Sequence, residues 1–267
     1  MSPSGEPAIQ LRAVRKVFSS DAGEVVALDG VDLEVAQGEL VCLLGPSGCG
    51  KSTLLNAIAG FALPTAGTLE ALGRPVAGPG PDRAMVFQEY ALFPWMTVER
   101  NVAFGLEVRG ERPARIREVV DRLLGTLGLS EFRDRFPKDL SGGMRQRVAI
   151  ARVLAIDPPM LLMDEPFGAL DALTRRSLQD ELLRIWAEYR KTIVFVTHGI
   201  EESIYLADRV VVMTYRPGTV KRVVPVALPR PRDPAGPEFN ALKREITALV
   251  MEEQARHQAA EAHATAD

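Results

Sequence analysis

The sequence predicts an α/β protein with a mostly parallel central sheet, and three patterns support this prediction. Four short apolar runs, at residues 40–44, 84–87, 160–163 and 193–196, show no alternation with polar residues. Such runs are typical of strands that are buried on both faces. Between the runs, apolar residues recur at helical spacing, for example from Ile116 to Leu127. Buried strands that alternate with amphipathic helices indicate a parallel sheet covered by helices.

Two further regions complete the predicted architecture. Alternating apolar residues near the N-terminus predict an antiparallel β subdomain with one solvent-facing side; they are Ile9, Leu11, Val31, Leu33 and Val35. Residues 95–157 have helical patterns and no buried-strand run, so we predict an α-helical subdomain there. We assign residues 8–230 to the main domain and residues 231–267 to a C-terminal helical tail. That tail either contacts a second copy of the chain or ends in solvent.

Composition and charge exclude several classes of protein. The 267 residues are 46% hydrophobic and 25% charged, which is typical of a globular protein and unlike a disordered or collagen-like chain. The formal net charge of −3 supplies no field for binding nucleic acid, so we expect no nucleic-acid partner. The spacing of Cys42 and Cys49 fits neither a zinc site nor a disulfide framework. Because no secretory signal or bilayer-spanning apolar run occurs, we expect a cytoplasmic protein.

A phosphate-binding loop is predicted directly after the first apolar run. The segment that fits the pattern G-x-x-x-x-G-K-[ST], with the residue after it, is Gly45, Pro46, Ser47, Gly48, Cys49, Gly50, Lys51, Ser52 and Thr53. Its glycines let backbone N–H groups surround a phosphate, and the next helix adds partial positive charge. In this pattern Lys51 reaches the β- and γ-phosphates, while the Ser52 hydroxyl binds Mg²⁺. The pattern predicts nucleotide binding but fits kinases, GTPases, helicases and transport ATPases alike.

Two adjacent carboxylates follow the apolar run at residues 160–163. Asp164, at the end of the predicted strand, is placed to hold Mg²⁺ through its water shell. Glu165 is placed to act as a general base that polarises the attacking water. An acidic pair in this position is also typical of a helix N-cap. In a chain with a phosphate-binding loop, we favour ATP hydrolysis with Mg²⁺.

Cys49 lies inside the predicted phosphate loop, close to Lys51 and to a helix N-terminus. Such surroundings favour the thiolate form of cysteine. We therefore expect alkylation of Cys49 to inactivate the protein and ATP to protect it. The alternative is that Cys49 is an inert small loop residue.

A further segment, Leu140–Arg147, reads LSGGMRQR and resembles the signature motif of ATP-binding cassette (ABC) ATPases. The Ser141 hydroxyl and the amides of Gly142 and Gly143, at the start of a helix, provide a second site for an anion. In this family the signature motif and the phosphate loop that share one ATP belong to opposite subunits. The resemblance therefore implies a head-to-tail homodimer with two ATP molecules between the subunits.

The remaining motifs of the family occur in their usual order. Gln88 matches the glutamine that contacts Mg²⁺ and the attacking water, and His198 matches the histidine that contacts the γ-phosphate. Residues Gly168–Asp171 match the D-loop, which implies that Asp171 lies at the dimer interface. Phe18 matches the aromatic residue that stacks on adenine, although a core phenylalanine is the alternative. These motifs imply that Glu165, His198, Gln88 and Lys51 act in catalysis.

The sequence departs from the family pattern after His198. Gly199 stands where many relatives carry Asp or Glu, so we expect a looser turn at this point. The departure does not affect the role that the resemblance gives to His198. The resemblance extends over about residues 8–225.

Within the family, the chain resembles the ATP-binding subunits of nitrate, sulfonate and taurine importers. The segments that carry this similarity are residues 86–95, VFQEYALFPW, and residues 214–218, TYRPG. An apolar cluster at Ala91–Thr97 is costly in water unless it is covered, and in the family this surface receives the permease. Phe93 and Trp95 are the best candidates for this contact, although packing inside the helical subdomain is the alternative for some of these residues.

The resemblance implies an ATPase at the cytoplasmic face of the inner membrane. It would drive uptake of a small anion or a sulfonate-like solute through a separate permease, and an extracytoplasmic substrate-binding protein would be an indirect partner. The alternative is an ABC ATPase without that permease, with a role in the cell envelope, in lipid handling or in soluble regulation.

Overall fold

The computed structural model describes residues 6–20, 23–168 and 170–264. Its strands and helices, in chain order, are β1 (Ile9–Ser20), β2 (Gly23–Val35), β3 (Leu40–Leu44), α1 (Lys51–Ala59), β4 (Ala66–Ala71), β5 (Arg74–Pro75), β6 (Arg83–Val86), α2 (Val98–Val108), α3 (Pro113–Thr126), α4 (Gly142–Ala155), β7 (Met160–Asp164), α5 (Ala172–Tyr189), β8 (Thr192–Val196), α6 (Ile200–Leu206), β9 (Arg209–Met213), β10 (Val220–Pro225) and α7 (Pro237–Ala264). The chain forms two compact units, of which the second spans Pro81–Lys191 and the first contains the segments on either side of it.

The first unit contains an antiparallel sheet with the strand order β2-β1-β4-β5. Ile9 lies opposite Val35 and Leu11 lies opposite Leu33 in the register of β1 and β2. All four side chains are buried, and residues with exposed side chains alternate with them in β2. This pattern confirms the antiparallel β subdomain that the alternation predicts.

A second set of strands in the first unit has the order β10-β9-β3-β8. β3 runs parallel to both β8 and β9, while β10 is antiparallel to β9. All residues of β3 and β8 are buried, as their uninterrupted apolar sequences predict. Leu43 pairs with Val196, so the carboxyl ends of β3 and β8 lie at the same edge. The segments that follow β3 and β8 therefore lie close together.

Helix α7 packs against the first unit instead of extending into solvent. Phe239, Ile246 and Glu253 are buried at intervals of seven residues, which places them on one side of the helix. The ammonium group of Lys221 in β10 bonds to the carboxylate of Glu253 at 2.7 Å. The prediction that this helix ends in solvent is therefore wrong for its residues up to Glu253.

The second unit combines the parallel pair β6–β7 with helices α2 to α5. Val86 pairs with Met163, so the carboxyl ends of β6 and β7 also lie at one edge. Helices α2 and α4 pack together, and α3 buries the apolar side that its spacing predicts, including Val120 and Leu124. Together with β3, β8 and β9, this pair confirms the predicted α/β class with parallel core strands. The boundaries at residues 8–230, 95–157 and 231–267 remain predictions.

None of the helices in the described part of the chain has both the length and the apolar character needed to cross a bilayer.

Candidate active site

The predicted phosphate loop follows β3 and ends where α1 begins. Lys51 is buried, and its ammonium group donates to the carbonyl oxygens of Gly45 at 2.8 Å and Pro46 at 2.9 Å. Gly48 has φ +74°, a conformation that glycine adopts without strain. Ser52 is exposed in the first turn of α1, where the helix dipole favours an anion. The loop therefore has the backbone and charge that a phosphate site requires.

His198 lies at the same strand edge as this loop. It follows β8 by two residues and its side chain is exposed. The Thr197 hydroxyl accepts from the Gly199 N–H at 3.0 Å and donates to the Glu202 carboxylate. The Ser203 N–H also donates to the Gly199 carbonyl at 2.9 Å. These bonds order the turn after His198, while Gly199 gives α6 no side-chain cap. The looser turn that we expect from Gly199 stays a prediction.

Phe18 presents an open aromatic face near the end of β1. Its side chain is 45% exposed, and the Lys16 ammonium lies 5.1 Å from the ring centroid. Phe18 pairs with Val25, which is also exposed. Phe18 is therefore not a core residue. Its ring is exposed enough to stack on a base.

The second unit places three of the predicted residues at its own strand edge. Gln88 follows β6 by two residues and is exposed, while Asp164 ends β7 and is half-buried. Glu165 has φ +45°, which is uncommon outside glycine and concentrates at functional sites. The Gly168 N–H donates to the Glu165 carbonyl at 3.1 Å, which closes the turn that holds this conformation.

The signature segment forms the first turn of α4. Ser141 is the N-cap of this helix, and its hydroxyl accepts from the Met144 N–H at 3.3 Å. A Cβ atom on Gly143 would lie 2.5 Å from Cγ2 of Thr174, so the position has room only for glycine. Gly142 lies near the Tyr90 hydroxyl. Ser141 is exposed beside the helix N-terminus, which suits an anion, and its role in binding phosphate stays a prediction.

Asp171 of the predicted D-loop has a clear local role. Its carboxylate caps α5, accepting from the N–H groups of Leu173 at 3.1 Å and Thr174 at 3.0 Å. The bond from Thr174, followed by that from Leu173, lowers the pKa of Asp171. Ala169 lies outside the described residues. The interface role of Asp171 remains a prediction beside this structural one.

The predicted docking segment Ala91–Thr97 is a rigid loop with one outward aromatic side chain. Asn101 is buried and its amide donates to the carbonyls of Phe93, Met96 and Thr97, while its oxygen accepts from the Phe93 N–H. Phe93 packs on Phe104, with the ring centroids 4.6 Å apart. Trp95 is 68% exposed. Internal packing thus accounts for Phe93, and Trp95 is the outward-facing residue.

Three residues support the loops of this unit although the predicted motif chemistry gives them no role: Asn101, Arg145 and Arg152, of which Arg145 lies inside the segment Leu140–Arg147. The guanidinium of Arg152 donates to the Ala91 carbonyl at 2.7 Å and lies 5.4 Å from the centroid of Phe93. Arg145 lies 5.6 Å from the ring centroid of Tyr90. The two arginines are seven residues apart, so α4 presents both on one side. The spacing shows only that the two arginines share a side of α4, and their contacts become visible in the structure.

Cys49 does not have the chemistry that we expect from its position. Its side chain is buried, and this burial raises the pKa of the thiol, although the Lys51 ammonium 3.8 Å from the sulfur opposes the shift. Burial raises the pKa of Cys42 as well. The expectation of a thiolate at Cys49 is therefore wrong, and Cys49 fits the alternative of an inert loop residue.

The residues predicted to bind Mg²⁺ have suitable chemistry. Ser52, Asp164 and Gln88 all offer hard oxygen donors, which Mg²⁺ prefers. Within the described ranges, no group of three or more His, Cys, Asp or Glu side chains forms a dedicated metal cage. A few protein oxygens completed by phosphate and water suit Mg²⁺, which retains several waters when bound.

Comparison with known proteins decides the family. A family profile described as ABC transporter matches residues 28–168. The chain belongs to the ABC transporter family. It is an ATPase of that family, as the ordered motifs predict. It is 50% identical over 225 residues to the nitrate import ATP-binding protein NrtD of Synechococcus elongatus, covering 82% of this chain and 81% of the relative.

A second relative and two solved structures support the same family. The bicarbonate transport ATP-binding protein CmpD of Synechococcus elongatus is 46% identical over 235 residues, covering 87% of this chain and 84% of the relative. A dimeric ATP-binding cassette in a post-hydrolysis state with ADP and Pi has a TM-score of 0.74 and 32% identity, covering 82% of this chain and 99% of the other. The cbiO1 protein of Clostridium perfringens, part of the cbiONQ transporter complex, has a TM-score of 0.75 and 28% identity, covering 83% of this chain and 90% of the other. The resemblance to importer-type ATP-binding subunits is thus confirmed.

We predict that Cys42 and Cys49 resist iodoacetamide in the folded protein at neutral pH. Alkylation requires a thiol that the reagent can reach and that is deprotonated. Burial prevents access and disfavours the thiolate. Intact-mass analysis should show no adduct on the folded protein and two adducts after unfolding in guanidinium, with or without ATP. Fast labelling of one thiol in the folded protein would contradict this prediction.

We predict that Asn101→Ala lowers the free energy of unfolding by about 1–3 kcal/mol, because it removes the side-chain partners of the half-buried Phe93 N–H and Met96 carbonyl. Chemical denaturation measures this change. Trp95→Ala is the matched control in the same loop. Because Trp95 is exposed, its substitution should change stability by no more than about 0.5 kcal/mol. Equal effects of the two substitutions would show that Asn101 does not hold the loop.

Proposed function

We propose that this ABC ATPase drives the uptake of a small anion, such as nitrate or bicarbonate, or of a sulfonate-like solute, through a separate permease. The similarity to nitrate and bicarbonate transport subunits supports the class of solute. The observation that carries the proposal is Trp95, an exposed aromatic side chain on a loop that is ordered from within. Such a side chain is typical of the centre of a protein–protein interface.

We propose that each copy of the chain binds ATP at its phosphate loop, with Phe18 stacked on the adenine. The loop residues Gly45, Pro46, Ser47, Gly48, Cys49, Gly50, Lys51, Ser52 and Thr53 would surround the phosphates with backbone N–H groups and with the Lys51 ammonium. Mg²⁺, when bound, neutralises phosphate charge, and Ser52, Asp164 and Gln88 are the residues that would hold it. The exposed face of Phe18 and the buried position of Lys51 support these roles.

In this proposal, the side chains that promote hydrolysis contact the attacking water and the γ-phosphate. Glu165 orients the attacking water and accepts its proton, while Gln88 holds the water and His198 donates to the γ-phosphate. Ser141, Gly142 and Gly143 of the second copy would bind the same phosphate from the other side. The head-to-tail homodimer brings these groups together, and Asp171 would lie at its interface.

The same helix that carries Ser141 also holds the docking loop. Arg152 and Arg145 extend from α4 to the backbone of Ala91 and to the ring of Tyr90. A displacement of α4 on closure of the dimer would therefore move the loop that carries Trp95. We propose this as the route by which ATP binding acts on the permease. Closure requires that ATP bind the closed dimer more tightly than the open one.

The proposal places the protein at the cytoplasmic face of the inner membrane as a peripheral subunit. The permease is its direct membrane partner, and an extracytoplasmic substrate-binding protein acts through that permease. Solute specificity would reside in these partners, because this chain does not contact the solute.

We predict that Glu165→Gln binds ATP but does not hydrolyse it, and accumulates as a homodimer. Without the general base the closed state persists, and turnover should fall at least about 100-fold. Light scattering at saturating ATP and Mg²⁺ should report twice the mass of the monomer. The double variant Lys51→Ala/Glu165→Gln should remain monomeric, because it lacks the phosphate contact. A monomeric Glu165→Gln protein under these conditions would refute the dimer mechanism.

We predict that Trp95→Ala weakens permease association at least about tenfold, since truncation of a central aromatic residue typically costs 2 kcal/mol or more. The permease that co-purifies with tagged Glu165→Gln protein from gently solubilised native membranes can be quantified by mass spectrometry.

Val108→Ala is the control for this experiment, because Val108 is an exposed apolar residue of the same unit, at the end of α2. It should leave recovery unchanged. Recovery of soluble partners alone, in several detergents, would instead support an ABC ATPase without a permease.

A further inference from the structure

The tip of the β9–β10 hairpin, residues 214–219, forms one wall of the phosphate loop. The Nε of Arg216 donates to the Gly48 carbonyl at 3.0 Å. A Cβ atom on Gly218 would lie 2.2 Å from the Cys49 carbonyl oxygen, so the two backbones are in close contact. The Gly218 N–H donates to the Ala27 carbonyl at 3.0 Å, which ties the tip to β2. The tip is therefore a fixed support for the loop.

The bond from Arg216 sets the orientation of one peptide group in the loop. In a trans peptide the C=O and the following N–H point in opposite directions. The Gly48 carbonyl points to Arg216, and the Cys49 N–H accordingly faces the Pro46 carbonyl, 3.4 Å away. That carbonyl also accepts from the Lys51 ammonium. Arg216 thus holds the Cys49 N–H on the side of the loop where Lys51 lies.

The C-terminal helix fixes the residue next to Arg216. The Tyr215 N–H donates to the Glu253 carboxylate at 3.0 Å, and the Tyr215 ring stacks on His257 with centroids 4.0 Å apart and planes 10° apart. Glu253 is buried and is also bonded to Lys221. Although burial opposes its charge, the hydrogen bonds that the Lys221 ammonium donates to Glu252 and Glu253 raise the pKa of Lys221. Two kinds of contact therefore connect α7 to the tip.

We propose that Arg216 is a positioning residue for nucleotide binding and that α7 acts on the phosphate loop through it. The contacts run from α7 to Tyr215, to Arg216 and to the Gly48–Cys49 peptide, all within the first unit. The inference rests on the proposed role of this loop as the phosphate site. It gives the C-terminal helix a function in the ATPase cycle, in addition to its packing.

The first test is to remove the hydrogen bond while keeping the size of the side chain. Arg216→Met should raise both the Kd for MgADP, measured by calorimetry, and the KM for ATP about five- to tenfold, with kcat within about twofold. Arg216→Gln retains an N–H donor and should restore most of the affinity. Arg222→Met is the matched control, because Arg222 pairs with Glu245 of α7 and lies on β10. Equal constants for Arg216→Met and Arg222→Met would overturn the proposal.

The second test asks whether α7 acts through Arg216. His257→Ala should raise KM about two- to threefold alone and add nothing in the Arg216→Met background, since coupled residues are not additive. If the increases in KM from the two substitutions multiply in the double variant, α7 acts independently of Arg216 and this part of the inference is overturned. Thermal unfolding of each variant confirms that it is folded.

Lys51→Ala separates the inference from the proposed function. If Lys51→Ala binds MgADP as tightly as the unchanged chain, the loop is not the phosphate site and both fail. If Lys51→Ala loses binding while Arg216→Met retains it, only the inference fails.

Discussion

The direction of the strands is the constraint on which the rest of the site depends. A parallel pair brings both carboxyl ends to one edge, and each unit of this protein uses that property. In the first unit the pair β3–β8 brings together the phosphate loop and His198. In the second unit the pair β6–β7 brings together Gln88 and the two carboxylates. An antiparallel pairing in either unit would send one of these groups to the opposite edge. All residues of β3 and β8 are buried, so both strands belong to the core of the first unit.

The charge of Lys51 shows how the phosphate loop is prepared for an anion. Its buried ammonium bonds to two backbone carbonyls, which offer dipoles but no net negative charge. A phosphate oxygen carries the negative charge that the carbonyls lack, so its bond to the ammonium adds the attraction between two opposite charges. The Lys51 ammonium therefore interacts more strongly with phosphate than with the carbonyls, and the N–H groups of the loop also favour phosphate. Arg216 contributes to this preparation from outside the loop, at the Gly48 carbonyl.

The sequence is sufficient to predict the fold class and the location of the motif residues, because uninterrupted apolar runs and glycine spacing are local signals. It does not predict side-chain environment. Cys49 is one example. Its position beside Lys51 favours the thiolate, but burial of the side chain outweighs that effect and raises the pKa of the thiol. Gly199 is a second example, because its N–H donates to the Thr197 hydroxyl and its carbonyl accepts from the Ser203 N–H, two bonds that its residue type does not predict. Arg152 and Arg216 contact residues far away in the chain, while Asn101 bonds to a loop four to eight residues before it. Their roles are visible only when the packing is known.

The internal support of the docking loop has an entropic consequence. Ordering a loop on association costs free energy, about 0.5–1.5 kcal/mol for each immobilised side chain. Here Asn101 and Arg152 bear that cost during folding, so Trp95 meets a partner from an ordered backbone. Such a surface binds with little further loss of conformational freedom. In the proposed mechanism, the free energy of nucleotide binding would then go into moving the permease and not into ordering this loop.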